Sequence, residues 1–167
     1  MKLSLRDWFN RAKTWSAQNV SVLVVIAFVL ALDRLTKVCA QLLWVQEPVV
    51  VFPFFHLRYV ENTGSAFGMM QGANVLLIFV MLAIIGYLLH SWRELCAQGK
   101  LVKWGCVFIL AGALGNLYDR ITLGYVVDFL DFLVWPVFNV ADSAITVGGG
   151  LFVISLLVHS RQQGASK

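Results

Sequence analysis

The chain has 167 residues, 59% of them hydrophobic, and its mean hydropathy is +0.77. That apolar share exceeds the roughly 45–50% of soluble domains, which excludes an ordinary soluble globule and indicates an integral membrane protein. The formal charge of +4 comes from Lys and Arg in short flanks between apolar runs, so it reads as an orientation signal and not as a nucleic-acid footprint.

At the N-terminus, Lys2, Arg6, Arg11 and Lys13 precede an apolar run, as in a signal peptide. "DRLTKVCA" then follows where a cleavable signal would carry small residues, so residues 20–40 read as an uncleaved first span. Trp8 and Trp15 suit an interfacial leader before it. The connection 41–72 contains "PVVVFPFFHLRYVENTGSAFG", rich in β-branched and aromatic residues, with Pro48 and Pro53 as breakers and Gly64 and Gly68 as turn points. It predicts a small β element on the outer membrane surface. Further apolar runs at about 73–92, 101–118 and 140–159 each approach the ~20 residues a membrane helix needs. The expected fold is therefore an all-α membrane protein with four transmembrane helices, a single domain over 1–167 and a β-rich outer element.

Lys and Arg concentrate at both termini and in the connection 91–103, whereas the outer connections 41–72 and 119–139 hold only Arg58 and Arg120. Both termini are thus expected in the cytoplasm. Gly105, Ala111, Gly112, Ala113, Gly115 and Gly148–Gly150 predict close approach of the last two spans. Cys39, Cys96 and Cys106 have no CxxC spacing, and His56, His90 and His159 lie far apart, so neither a metal nor another cofactor is expected.

Ionisable groups inside a membrane are costly and by default functional. Asp33 lies about 20 Å along the first span from Val20 at 1.5 Å per residue, and Lys37 follows one turn later. The third span ends in "GNLYDR" and the fourth begins at "FNVAD". Asp33, Lys37, Asn116, Asp119, Arg120, Asn139 and Asp142 therefore gather in the outer third of the bilayer, joined by Asn62 from the first outer connection. Each has a structural explanation too. Asp142 with Asn139 is a helix-capping pair, Asp33 with Lys37 an i,i+4 ion pair, Asp119 and Arg120 interfacial anchors, and Asp131 a solvent-facing loop residue. Asp128 stands apart, because Val126, Val127, Phe129 and Leu130 surround it and desolvation should raise its pKa. Two carboxyls brought together there would share one proton, as an aspartyl protease requires.

"DRLTK" (33–37), "ENTGSAFG" (61–68), "GALGNLYDR" (112–120), "VVDF" (126–129) and "FNVADSAIT" (138–146) together resemble the lipoprotein signal peptidase, or signal peptidase II, family of bacterial inner-membrane aspartic proteases. The resemblance implies removal of the signal peptide from diacylglyceryl-modified prolipoproteins, just before the lipid-modified cysteine and near the periplasmic face. It implies Asp128 and Asp142 as the catalytic pair. Asn62, Gly64, Asn116, Arg120 and Asn139 would hold the site and substrate, and Asp33, Lys37 and Asp119 would support it, with no metal. Membrane lipids and globomycin-type inhibitors are implied partners. The Asp128–Asp142 link is short for the family, which should alter the flap over the site, and Asp119 is the rival first acid. Two other readings compete: a Ser65–Lys37 peptidase, and a proton relay through Asp33, Lys37 and Asp142.

Overall fold

The computed structural model describes residues 5–64 and 72–165, with side chains over 20–64 and 72–160. In chain order the elements are α1 (Leu5–Leu43), β1 (Val49–Phe52), β2 (Phe55–Asn62), α2 (Asn74–His90), α3 (Trp92–Ala97), α4 (Lys100–Thr122), β3 (Val126–Asp131) and α5 (Val140–Ala165). The protein is mostly helical with one small sheet. The leader before the first span is helical and continuous with it, because α1 runs 39 residues from Leu5. The side chains of Trp8 and Trp15 lie outside the described residues. The connection 91–103 holds a short helix, α3, that the apolar pattern did not announce.

Two described helices are long and apolar enough to cross a membrane: α4, and α5 over Val140–Ser160. They differ in burial. Of the most apolar stretch of α4, 61% is buried, against 17% for α5. α4 is the centre of the bundle, with α1, α2, α3 and α5 packed around it. Val102, Cys106, Leu110, Ala113 and Leu117 of α4 form one continuous core with Ile85 and Leu88 of α2 and Leu95 of α3. Large apolar side chains such as Leu23, Phe28, Leu35, Phe79, Tyr87 and Leu156 face outward. An apolar exterior this extensive suits lipid far better than water.

The contact of α4 with α5 depends on glycine. A Cβ on Gly112 would collide with the Ala141 carbonyl and stand 2.8 Å from Ile145, and one on Gly148 would meet the Gly105 carbonyl at 2.7 Å. Gly149 and Gly150 have open space around them, so only the first glycine of that triplet serves the interface. Such approach lets helix backbones meet at van der Waals distance, the main attraction available between helices in lipid.

The sheet has order β1-β2-β3 and is antiparallel throughout. Val60 pairs with Asp128 and Asn62 with Val126, and the register shifts between Leu57 and Val60. β3 is the most buried strand, as expected of a run with apolar residues on both faces. Val127 and Phe129 pack on Ala40 at the end of α1, with Trp44, Leu57 and Tyr59 around them. The link from β3 to α5 doubles back. Phe129 and Leu130 both donate to the Phe138 carbonyl at 3.0 and 2.8 Å, and Phe138 donates to the Leu130 carbonyl at 3.1 Å. Phe132 stacks on Phe138 within this closed turn.

Replacing Gly112 by valine forces α5 off α4. The variant should lose about 1–3 kcal/mol of stability, as overpacked interiors do, while Gly149→Val should lose much less; thermal unfolding of both in detergent checks this.

Candidate active site

Where α5 begins, its first amides need acceptors that the helix cannot supply. Asn139 meets this as the cap: its Oδ1 accepts from the Asp142 amide at 2.8 Å, while its own amide donates to Asp142 Oδ2 at 3.3 Å. This is the reciprocal arrangement of a capping box. A second amide, that of Ala141, donates to Asp33 Oδ1 at 2.8 Å. Asp33 reaches it from α1 across a gap left by Gly115, where a Cβ would stand 2.8 Å from Asp33 Oδ2.

The other atoms of Asn139 turn away from the helix. Its Nδ2 donates to Asp128 Oδ1 at 2.6 Å, to Asn116 Oδ1 at 3.1 Å and to the Val127 carbonyl at 3.3 Å. Asn116 Nδ2 donates to Asp142 Oδ1 at 2.7 Å. Asn62 Nδ2 donates to Asp128 Oδ2 at 2.8 Å. Asp128 from β3 and Asp142 from α5 are therefore joined through one asparagine, and each is steadied by a second.

Beneath them lies a lysine with no exposed surface. Lys37 Nζ stands 2.9 Å from Asp33 Oδ2, 2.9 Å from Asp119 Oδ2 and 3.0 Å from Asn116 Oδ1. All three ammonium donors are committed. Asp119 also accepts from Arg34 Nη1 at 3.3 Å and from the Val127 amide at 3.2 Å. With both oxygens engaged in this way, Asp119 is an anchor between α4, α1 and β3. Arg120 is 5% exposed, and its Nη2 donates to the Gly64 carbonyl at 2.6 Å.

The ten residues that the family resemblance assigns to the site fall in one network, Gly64 joining it by donating its amide to Asn62 Oδ1. Asp131 departs from expectation. It is not a solvent-facing loop residue but the buried end of β3, 2.6 Å from Arg58 Nε and accepting from the Leu133 amide at 2.8 Å. Asp131 stands opposite His56 of β2, and the guanidinium that holds its carboxylate, Arg58, comes from that same strand. Arg120 is likewise no head-group anchor. Two members were given no role in the sequence: Arg34, which lies within the first motif beside Asp33, and Asn74, which bonds Arg120 and which no spacing marks. Ser65 lies outside the described residues.

The electrostatics favour one neutral carboxyl in this cluster. Asp33, Asp119, Asp128 and Asp142 face the cations Lys37, Arg34 and Arg120, so one carboxylate charge has no counterpart nearby. Burial, and secondly the negative charge of Asp142, push the Asp128 carboxyl up to about 7, although the amides of Asn62 and Asn139 favour its anion. Beside Asp142 opens a largely apolar cavity of about 560 Å³, lined by Trp135, Phe138, Ile145 and Val147 among others.

A comparison with protein families matches residues 25–158 to signal peptidase (SPase) II. The chain belongs to the signal peptidase II family. It is 40% identical over 137 residues to the lipoprotein signal peptidase of Halothermothrix orenii, covering 81% of this chain and 94% of the relative. That of Desulfitobacterium hafniense is 43% identical over 143 residues, covering 84% and 95%. Two solved bacterial membrane enzymes, determined by the in meso method, share the architecture. One has a TM-score of 0.78 at 28% identity, covering 84% of this chain and 89% of the other. The second has a TM-score of 0.71 at 29% identity, covering 82% and 92%. Membership of the family makes the chain a peptidase, and the apolar exterior belongs to an integral membrane protein.

Asp128 holds its proton more tightly in the folded than in the unfolded chain, so folding loses stability as pH rises from about 4 to about 7. The Asp128→Asn variant lacks this titration. Its thermal midpoint relative to wild type should rise across that window and level off above it; a pH-independent difference would contradict the assignment.

Proposed function

We propose that this protein is an intramembrane aspartic endopeptidase that removes the signal peptide from diacylglyceryl-modified bacterial prolipoproteins, cutting just before the lipid-modified cysteine. The observation that carries the reading is the Asp128–Asn139–Asp142 bridge, which couples two carboxyls on separate elements at the edge of an apolar cavity. No metal is needed for the step. One carboxylate takes a proton from a water molecule as the water oxygen bonds to the scissile carbonyl carbon, and the protonated partner gives its proton to the carbonyl oxygen. The carboxyl that took the water proton then gives it to the amide nitrogen, the other carboxylate takes a proton from a hydroxyl of the tetrahedral intermediate, and the C–N bond breaks to leave a carboxylic acid and an amine. Asn62, Asn116 and Asn139 hold the carboxyls at fixed angles, and Arg120 and Gly64 border the site where peptide backbone would lie.

The same reading supplies the setting. In this reading α1, α2, α4 and α5 span the bacterial inner membrane within a single domain, both termini are cytoplasmic, and the sheet lies on the periplasmic face. A cleavage point anchored by lipid then meets the carboxyls at the outer edge of the bilayer, and the apolar cavity beside Asp142 accommodates the neighbouring apolar segment. Globomycin-type peptides would occupy that groove uncleaved. A Ser65–Lys37 mechanism is disfavoured because the Lys37 ammonium is fully engaged by Asp33, Asp119 and Asn116.

Incubation of the purified protein with a diacylglyceryl-modified prolipoprotein tests the proposal. Asp128→Asn and Asp142→Asn should each lower turnover about a thousandfold or more, as loss of a concerted catalytic group does, and globomycin should block the wild type. Turnover should also decline as pH is raised through about 7, where Asp128 loses its proton and the pair becomes doubly ionised. Undiminished cleavage by either variant would end the dyad reading.

A further inference from the structure

Asn74 opens α2, yet its side chain serves another helix. Its Nδ2 donates to the Arg120 carbonyl at 3.1 Å, and its Oδ1 accepts from Arg120 Nη1 at 3.2 Å. The first bond satisfies one of the last carbonyls of α4, which have no intrahelical partner. The second fixes the plane of the guanidinium. With Nη1 held there, Nη2 is aimed at the Gly64 carbonyl, a buried, charge-assisted bond of 2.6 Å. Gly64 in turn donates its amide to Asn62 Oδ1 at 3.0 Å, and Asn62 Nδ2 donates to Asp128 Oδ2 at 2.8 Å. A continuous chain of hydrogen bonds thus runs from the start of α2 to Asp128.

We propose that Asn74 is a positioning residue for Asp128, acting through Arg120, Gly64 and Asn62 by setting the orientation of the Arg120 guanidinium. The inference rests on the reading of Asp128 and Asp142 as the catalytic pair. Asn74 touches neither carboxyl and lies in none of the five motifs. Its amide offers a donor and an acceptor on one planar group, matching a carbonyl and a guanidinium that belong to the same residue. Arg120 also carries a buried Nε with no acceptor among the described residues. A guanidinium that loses its Nη1 partner therefore has a second unsatisfied donor and a reason to turn. Turning it releases the Gly64 carbonyl, loosens the Gly64–Asn62 turn and frees the amide that fixes Asp128 Oδ2.

Steady-state cleavage of a diacylglyceryl-modified prolipoprotein by the full chain in detergent tests this with Asn74→Leu, Asn74→Asp and Asp128→Asn alongside wild type. Asn74→Leu removes both contacts and should lower kcat roughly 10- to 100-fold, as displacement of a catalytic group does, with KM little changed. Asn74→Asp still accepts from Nη1 and should recover most of the rate, and both variants should remain folded at the assay temperature. A leucine variant with wild-type kcat, or an aspartate variant as slow as the leucine one, overturns the inference. Asn74→Ala, judged by the same criteria, replaces the leucine should that variant not fold. Cleavage by Asp128→Asn, in contrast, would sink the dyad reading and not the Asn74 inference alone.

Discussion

The buried ammonium of Lys37 is the contact on which the other parts of the protein depend. An isolated charge at such a site would be expelled or neutralised, yet here two carboxylates and an amide oxygen surround it. Each of those partners has a second duty on another element. Asp33 caps α5 through the Ala141 amide, Asp119 anchors β3 through the Val127 amide, and Asn116 donates to Asp142. Loss of one partner from a buried ion cluster costs about 3–5 kcal/mol because the others are left uncompensated. The cluster therefore sets the register of α1, α4, α5 and the sheet together, which is what a pair of acids on separate elements requires.

Such a cluster could not form without close backbones. Gly112 and Gly148 let α5 lie directly on α4, and Gly115 leaves the space into which Asp33 reaches. Packing and electrostatics are not independent contributions here. The glycines bring the helix ends near enough for side chains as short as Asp and Asn to bridge them, and the bridges then hold the helices at that spacing.

Much of this was legible in the sequence, for identifiable reasons. Apolar runs, punctuated by acids at one end, announced the helices and the helix ends at which the polar groups gather. The capping relation of Asn139 and Asp142 and the i,i+4 pair of Asp33 and Lys37 are local, so spacing alone revealed them. Long-range facts were hidden. Asp131 pairs with His56 on a much earlier strand, and Arg34 with an acid 85 residues later. Asn74 carries no sequence mark at all, since its partner lies 46 residues away. The continuity of α1 past its polar leader also escaped hydropathy, which reports solvent preference and not where helical hydrogen bonding begins.

Asn139 confines the chemical alphabet at its position to one letter. It must start a helix, for which serine, threonine and aspartate would serve equally well. It must also present an NH2 group to Asp128 and to Asn116 from the same short side chain. Serine and threonine lack the reach and the second proton, aspartate has no donor and would add a negative charge, and glutamine is one methylene too long to cap. Evolution cannot tune the entry of α5 and the spacing of the two acids separately, because a single amide governs both.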